Sequence, residues 1–262
     1  MYLMVIIRVI IINDWLHSEV PLKEHYNLIF ESGFGGIRLW WRKEDGCRNN
    51  LEYARKAGLF VDNVHAPFEN INSIWLDTVE GHETEKCLLR CIEDCAELEI
   101  PTIVAHLSKG RNPPPYNSLG LERFKLITEK SEKHGVNIAF ENLKKTNHLS
   151  VIMEQIDSPH VGFCYDSGHH NCWTPQEDLL SLFGSRLKVL HLHDNDSIND
   201  QHLLPFDGTI DWPTTMKSIA ETGYQGAIEL EVDNSGIYSL STPEFLRTAL
   251  SRGKTLETLK LL

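Results

Sequence analysis

The sequence predicts an α/β fold in which eight parallel strands close into a single (β/α)8 TIM barrel. Short apolar runs alternate with helix-like runs along all 262 residues, and no linker-like or low-complexity stretch interrupts them. Repeated strand–helix units form parallel sheets covered by helices. Eight such units in roughly 250 residues are typical of a closed barrel. We therefore predict one barrel domain over residues 1–262.

The predicted strands are short, mainly apolar runs bounded by polar or glycine-containing segments. Because both faces of such a strand are buried in a barrel, the runs show little polar alternation. In chain order they are Val5–Ile12, Ile37–Trp41, Phe60–His65, Pro101–His106, Val136–Glu141, His160–Asp166, Leu187–His193 and Ala227–Val232.

The predicted helices have apolar residues spaced three and four apart, which places those residues on one helical face. Proline at a first turn and glycine after a last turn mark several of their ends. In chain order they are a helix beginning at Pro21 and ending at Gly33, then Leu51–Ala57, Thr84–Leu98, Leu121–His134, Ser150–Ile156, Leu179–Phe183, Trp212–Thr222 and Pro243–Leu259.

Composition narrows the classes of partner. Apolar residues make up 41% of the chain, which suffices for a large core, and the formal charge is −12. A net negative field repels polyanions, so a nucleic-acid partner is disfavoured, although a local basic groove remains compatible with it. The same field attracts metal cations.

Cysteines and apolar runs predict a cytoplasmic protein without a membrane partner. Cys87, Cys91 and Cys95 lie four residues apart on one predicted helix face, where we expect small core residues in a reducing compartment. A thiolate metal cluster is the alternative. The apolar run Met1–Ile12 is predicted as a buried strand rather than a signal peptide, because Arg8 interrupts it. No run approaches the ~20 apolar residues of a membrane helix.

Carboxylate and imidazole side chains stand at the ends of six consecutive predicted strands. In a barrel these ends meet at one rim, which is where barrel enzymes place their functional residues. The residues are His65, His106, Glu141, Asp166 with His169 in the loop that follows, His191, and Glu231. The segment Val189–Trp212 adds Asp200 and His202. Such groups are costly to bury unless they are paired or coordinated, so the set predicts a metal site.

The ligand types indicate a divalent metal. Imidazole and carboxylate without thiolate suit Zn²⁺, Mn²⁺, Fe²⁺ or Co²⁺. We predict zinc or manganese as the cofactor, with one to three ions. His193 shares a strand face with His191 and becomes the alternative ligand if the register shifts by two residues. Glu229 lies one layer deeper on the face of Glu231, where we expect a buried, paired carboxylate.

Several motifs give the chain a resemblance to the xylose-isomerase-like barrel superfamily. They are HAPF from His65, FEN at Phe140–Asn142, DSGH from Asp166, the HLHDND, DxH and GTIDW runs of Val189–Trp212, and LEV around Glu231. The superfamily contains sugar-phosphate isomerases and epimerases and also endonuclease-IV-like abasic-site nucleases. The resemblance spans almost the whole chain.

The resemblance implies two ligand sets. In the ketose epimerases one metal is held by ligands from strands five to eight, which correspond here to Glu141, Asp166, His191 and Glu231. In the nuclease branch three zinc ions use five more ligands, which correspond here to His65, His106, His169, Asp200 and His202. Two positions depart from the epimerase pattern, because Ser197 and Asn147 stand where an Arg and a substrate-contacting Glu are frequent.

The chemistry that follows is proton transfer on a small sugar or sugar phosphate, with Glu141 and Glu231 as the catalytic acid–base pair of an isomerase or epimerase acting through an enediolate. Substrate contacts are predicted at Phe68, His169, Lys109 and Lys144. The two lysines, together with Arg111 and Lys145, are interpreted either as phosphate ligands or as solvated charges. Trp75, like Phe68, is expected in a pocket or the core. Alternatives are a multinuclear zinc phosphoesterase and a non-catalytic binding barrel. A homo-oligomer is left open.

Overall fold

The computed structural model describes residues 8–16, 20–235 and 238–259. In these ranges eight parallel strands form one sheet in the order β7-β6-β5-β4-β3-β2-β1-β8. The strands are β1 Ile10–Asn13, β2 Gly36–Trp40, β3 Phe60–His65, β4 Thr102–Ala105, β5 Asn137–Glu141, β6 Val161–Asp166, β7 Leu187–His191 and β8 Ile228–Leu230. Leu192 closes the cylinder, since its amide donates to Glu229 O at 3.0 Å and its carbonyl accepts from Glu231 N at 3.1 Å. The predicted (β/α)8 barrel is confirmed.

The helices of these ranges alternate with the strands. They are α1 Leu22–Glu31, α2 Arg48–Ala57, α3 Val79–Glu97, α4 Ser118–His134, α5 Asn147–Gln155, α6 Ser167–Trp173, α7 Leu179–Phe183, α8 Trp212–Glu221 and α9 Thr242–Leu259. Short 3-10 turns cover Ile71–Trp75 and Gly184–Arg186. None of the described helices combines the length and apolar character that a bilayer crossing requires.

Side-chain caps explain where the predicted boundaries differ. Helix α3 begins five residues before the predicted Thr84, because the Thr78 side chain accepts a hydrogen bond from Gly81 N. Helix α4 begins at Ser118 after Asn117 caps it in the same way. Asp211 caps α8 by accepting from Thr214 N. At the other end of the chain, residues 5–7 of the first predicted strand lie outside the described residues, as does most of the alternative signal segment.

The core lies between the helices and the outer face of the sheet. Trp75 is 1% exposed and belongs to this core, while Phe68 packs at its edge and lines a cavity described below. Cys91 and Cys95 are fully buried in the core and Cys87 packs against it. No group of converging ligand atoms in the described part of the chain contains these three cysteines, so the arrangement supports their core role over a thiolate cluster.

Candidate metal centre

The predicted strand-end residues meet at the carboxyl end of the barrel. His65, Glu141, Asp166 and His191 are the last residues of β3, β5, β6 and β7. His106 and Glu231 directly follow β4 and β8. All six are buried or nearly so, with His106 the most accessible at 10% of its side chain. The convergence on which the sequence argument depended is therefore present in the fold.

Four of these residues form what we call the inner group: Glu141, Asp166, His191 and Glu231. The Nδ1 atom of His191 lies 3.0 Å from Glu231 Oε2, 3.5 Å from Glu141 Oε2 and 4.0 Å from Asp166 Oδ2. The ligand atoms of Asp166, His191 and Glu231 all lie within 4.8 Å of one another. These are the four residues that the resemblance implies for a single metal.

Two further histidines share one oxygen of the inner group. His65 Nε2 and His106 Nε2 each lie 3.2 Å from Glu141 Oε2. The same oxygen also faces His191 Nδ1 at 3.5 Å. Glu141 therefore stands between two sets of imidazole nitrogens, which is the position of a carboxylate that could bridge two cations.

A third set, which we call the outer group, consists of His193, Asp200 and His202. Their ligand atoms lie within 4.8 Å of one another, and the rings of His193 and His202 stack with centroids 4.0 Å apart. The sequence interpretation gave His193 no ligand role in its preferred register. Strand β7 ends at His191, and two residues later His193 faces Asp166, whose Oδ1 lies 3.0 Å from His193 Nε2.

His169 connects the inner and outer groups. Its Nδ1 atom lies 2.8 Å from Glu141 Oε1, and its Nε2 atom lies 3.2 Å from Asp200 Oδ2. It stands on α6, a helix that the sequence interpretation treated as a loop and that Asp166 caps by accepting from His169 N at 2.7 Å. The ligand atoms of His169 converge with those of Glu141 and Asp166 rather than with the full outer group.

Glycine and asparagine in two of the motifs have structural explanations. A Cβ atom on Gly168 would lie 1.9 Å from the His193 ring, so the DSGH motif needs glycine at this position for the ring to pack. Asn142 of the FEN motif donates to Asp166 O at 2.9 Å and accepts from Asp166 N at 2.8 Å. This reciprocal pair fixes the end of β6 against β5.

A buried arginine lies beneath the inner group, and the sequence interpretation did not identify it. The Arg38 guanidinium contacts Glu231 Oε1 at 2.8 Å and Glu229 Oε1 at 2.9 Å, and its side chain is fully buried. Glu229 also accepts from Asn63 at 2.6 Å and faces His191 Nε2 at 3.5 Å. The expected buried pairing of Glu229 is therefore present. A carboxylate behind a histidine orients its ring and raises its basicity as a ligand.

Electrostatics keep both glutamates of the inner group ionised. Burial alone raises the pKa of Glu141, but the nearby histidines, His106 foremost, hold it well below its usual range. Burial likewise raises the pKa of Glu231, and Arg38 and His191 outweigh that effect. For Glu229 burial prevails over Arg38 and raises the pKa to about 7. The two carboxylates nearest the cavity therefore carry their negative charge at neutral pH.

The inner group fits a divalent cation. His191 Nδ1 and Glu231 Oε2 are buried and have no hydrogen-bond partner within residues 8–16, 20–235 and 238–259, although they approach each other to 3.0 Å. Buried polar atoms are normally satisfied. Around an ion with bonds of about 2.1 Å, neighbouring ligand atoms stand roughly 3.0–3.5 Å apart, close to the separations observed from His191 Nδ1 to the two glutamates.

Other acidic residues of the Val189–Trp212 segment organise the loop itself. Asp194 is fully buried and accepts hydrogen bonds from Phe206 N, Ile210 N and Trp212 Nε1. Asp196 accepts from the amides of Ile198 and Asn199. These carboxylates hold the loop that carries Asp200 and His202, which accounts for part of the acidic density noted in the sequence.

The inner group opens into a cavity of about 320 Å³. Aromatic rings line its mouth, and both predicted lysines, Lys109 and Lys144, lie along its wall. The rings are those of Trp15, Trp40, Phe68 and Trp173. Of the predicted substrate contacts, Phe68, His169, Lys109 and Lys144 all reach this cavity, whereas Arg111 and Lys145 are exposed and are not part of its wall.

Comparisons with known proteins agree with this architecture. Residues 27–255 match the family described as "Xylose isomerase-like TIM barrel". The uncharacterized protein y4fM of Sinorhizobium fredii is 36% identical, with 80% of each chain covered. A fructoselysine 3-epimerase of Shigella flexneri is 21% identical over 92% of this chain and 95% of its own. A solved structure of IOLI protein with a binding zinc atom superposes with a TM-score of 0.76 at 17% identity, covering 95% of this chain and 98% of that one.

Proposed function

Because the chain belongs to the xylose isomerase-like TIM barrel family, we propose that it is a divalent-metal-dependent isomerase or epimerase acting on a small sugar. One observation carries the proposal. Glu141 and Glu231 both approach the Nδ1 atom of His191, and both line a cavity of about 320 Å³. A relative named as a fructoselysine 3-epimerase supports the same reaction class.

Glu141, Asp166, His191 and Glu231 would hold the cation. It would supply Lewis-acid polarisation of a carbonyl and its neighbouring hydroxyl. The mixture of one imidazole and three carboxylates suits zinc, manganese or cobalt. A protein of the same fold that was solved with a zinc atom supports a metal-binding role for this barrel.

The two glutamates would carry the proton. Glu141 extends from β5 and Glu231 follows β8, so the two reach the cavity from different sides of His191. One carboxylate removes the proton beside the carbonyl. The other takes up a proton from solvent in the cavity and delivers it to the opposite face of the resulting enediolate, and the first then releases its proton to solvent. Arg38 holds Glu231 Oε1 at 2.8 Å and leaves Oε2 directed at the group. General acid–base catalysis of this kind contributes typically ~10²–10⁴-fold in rate.

Proton exchange tests this function across a range of candidate sugars. The protein is loaded with Zn²⁺, Mn²⁺ or Co²⁺ and incubated in D₂O with a panel of ketoses, and deuterium incorporation beside the carbonyl is followed by NMR. We expect exchange with at least one ketose. Glu141→Gln and Glu231→Gln should each lower its rate by at least ~10²-fold.

The matched control is Glu129→Gln, which changes an exposed glutamate of α4 far from the cavity. It should exchange like the wild type. Metal content measured by elemental analysis distinguishes loss of the cation from loss of the base. Full exchange activity in both Glu141→Gln and Glu231→Gln, or no exchange with any ketose, would rule out the proposed proton transfer.

A second candidate function is a multinuclear zinc phosphoesterase resembling the abasic-site nucleases. The observation that favours it is the presence of two further ligand groups beside the inner one. The first is formed by His65 and His106 at Glu141 Oε2, and the second is the outer group. Clustered zinc ions can activate a water and stabilise the leaving oxygen of a phosphodiester. The formal charge of −12 opposes a nucleic-acid substrate.

Metal stoichiometry separates the two functions. Three zinc ions per chain together with cleavage of an oligonucleotide that contains an abasic site would establish the phosphoesterase. One ion per chain, proton exchange with a ketose and no cleavage would leave the isomerase. If the outer group holds one of three zinc ions, His202→Gln should bind two zinc ions per chain instead of three.

A further inference from the structure

Two stacked columns of side chains flank the mouth of the cavity. In the first, the His106 ring stacks on Phe68 with centroids 4.2 Å apart and planes 19° from parallel. The Lys109 ammonium lies 5.0 Å from the Phe68 centroid. The column therefore runs from a nitrogen that contacts Glu141 to a positive charge at the mouth.

The second column repeats this order of side chains with two residues of α6 and a lysine from the loop after β5. The His169 ring stacks on Trp173 with centroids 4.2 Å apart and planes 20° from parallel. The Lys144 ammonium lies 4.4 Å from the Trp173 ring centroid. His169 again contacts Glu141, at 2.8 Å. In each column an aromatic ring contacts both an ammonium group and a histidine that lies next to Glu141.

Neither ammonium group is neutralised by a carboxylate in the described part of the chain. Surface lysines such as Lys56 and Lys86 pair with glutamates on their own helices. Lys109 and Lys144 instead rest on aromatic faces, and the Lys109 backbone is fixed by hydrogen bonds with the Asn72 side chain at 2.8 and 2.9 Å. A cation held over a ring gains about 0.5–1 kcal/mol at exposed sites. The ammonium group therefore has a preferred position and can still bind an anion.

The surrounding charge makes this placement informative. The chain carries a formal charge of −12, and the cavity wall includes the carboxylates Glu141, Asp200 and Glu231. Such a cavity repels an anionic substrate unless local cations offset the field. Lys109 and Lys144 are cations of this kind, and both line the cavity.

We propose that the substrate carries a phosphate or carboxylate group at the end remote from its reacting carbons, and that Lys109 and Lys144 bind this group between the two columns. The inference rests on the proposed function, since it assigns the reacting carbons to the inner group. The cavity of about 320 Å³ accommodates a five- or six-carbon sugar in this orientation. Phe68 and Trp173 line the same cavity.

Five matched compounds test the charge requirement. Fructose, fructose 6-phosphate and fructuronate are compared as exchange substrates in D₂O, and glucitol and glucitol 6-phosphate are compared as non-reacting ligands by calorimetry. The proteins are wild type, Lys109→Met, Lys144→Met and the double variant. Methionine keeps an unbranched chain over the aromatic ring and removes the charge together with the N–H donors of the ammonium group. Lys145→Met is the control on the same loop, because Lys145 is exposed and is not part of the cavity wall.

We expect wild type to bind a phosphorylated or carboxylated ligand more tightly than its neutral parent. Each single substitution should raise the Kd for the charged ligand by about 10- to 100-fold. The substitutions at Lys109 and Lys144 should not change binding of the neutral parent. Lys145→Met should bind every ligand as tightly as wild type. The phosphate and carboxylate arms show which anion is preferred. No preference of wild type for any anionic ligand, or an unchanged preference in the double variant, overturns the inference.

The outcome for this inference separates from that of the proposed function. Lysine-dependent binding of glucitol 6-phosphate without proton exchange on any ketose keeps the anion site and rejects the isomerase. Exchange on neutral ketoses with no dependence on Lys109 or Lys144 keeps the isomerase and rejects the anion site.

Discussion

The inner and outer groups lie side by side but are built in different ways. The inner ligands stand at strand ends, and Asp166 and His191 are fully buried. In the outer group the Asp200 side chain is 27% exposed and His202 16%. His202 also has a positive φ of 48°, a backbone conformation that side-chain-bearing residues rarely adopt. One group is thus held by the hydrogen bonds of the sheet and the other by a loop.

The support beneath each group differs in the same sense. Arg38 fixes Glu231 of the inner group and Glu229 beneath it with its buried guanidinium. Asp194 fixes the loop of the outer group by accepting three hydrogen bonds from the segment between Phe206 and Trp212. The difference indicates that the inner group is a rigid centre for chemistry. It also indicates that the loop residues of the outer group, Asp200 and His202, can be replaced while His193 keeps its contact with Asp166.

The largest expected effect comes from removing the inner support. Arg38→Met leaves Glu229 and Glu231 buried without their cation, which typically costs about 3–5 kcal/mol of the free energy of unfolding. Urea unfolding followed by circular dichroism measures this loss. The double variant with Glu229→Gln should recover part of it, and Arg247→Met on the exposed face of α9 should change little. An Arg38→Met protein as stable as wild type would contradict the account of the inner group.

Removing the outer support should cost less and act locally. Asp194→Ala leaves three backbone amides and the Trp212 indole without their acceptor, and we expect the free energy of unfolding to fall by about 2–4 kcal/mol. Hydrogen exchange should increase in residues 194–212 more than at the strand ends. Ile198→Ala, a change at a 75% exposed residue of the same loop, is the control. Equal loosening of β5 and β6 would show that the two groups are not independent.

Metal binding distinguishes the groups directly. A ligand present at 100 times its Kd stabilises the folded state by about 2.7 kcal/mol. We expect this stabilisation to vanish in His191→Gln and to persist in His202→Gln, because only His191 belongs to the inner group. Thermal unfolding with and without added Zn²⁺ or Mn²⁺ provides the measurement. The comparison fails if both variants lose the stabilisation to the same extent.

The smallest expected effect concerns a buried carboxylate that lacks the support of the inner group. Asp14 is 8% exposed, accepts hydrogen bonds from Tyr26 and Asn50, and has no ion pair in the described part of the chain. Burial raises its pKa. The folded state therefore favours the protonated carboxyl, and stability falls as the pH rises from below the unfolded value of about 3.9 through the folded one.

Replacing Asp14 with asparagine should remove this cost. Asp14→Asn is expected to melt at a higher temperature than wild type at pH 7, with a difference that shrinks as the pH approaches 4. Differential scanning calorimetry across this range tests the sign. A lower melting temperature for the variant at pH 7 would mean that the hydrogen bonds of the ionised carboxylate outweigh its burial.

Much of the rim was accessible from the sequence. A parallel barrel brings all carboxyl strand ends together, so Glu141, Asp166 and His191 could be assigned to one rim from their places after apolar runs. Their roles as metal ligands stay predictions. Arg38 escaped notice although it carries a signal, since a charged residue within the apolar run GIRLW, two positions from Trp40, shares an inward face with it. A buried charge on such a face requires a partner.

Other features had no readable signal. The seven-residue helix α6 follows β6 without a strong apolar period, so Trp173 and its stack on His169 were not anticipated. The role of His193 depends on where β7 ends, and strand boundaries are not specified by composition to within two residues. Both features decide which side chains surround the cavity.

The sequence by itself determined the barrel, which alternate residues of each strand face inward, and the set of polar side chains at one rim, because these follow from local periodicity. Only the tertiary structure decided which atoms meet. Residues separated by many tens of positions, such as His65 and Glu141 or Arg38 and Glu231, come into contact through barrel closure and through register shifts at Ile37/Arg38 and Phe163/Cys164. The reason is physical: a local pattern fixes direction, whereas distance between strands depends on how all eight pack together.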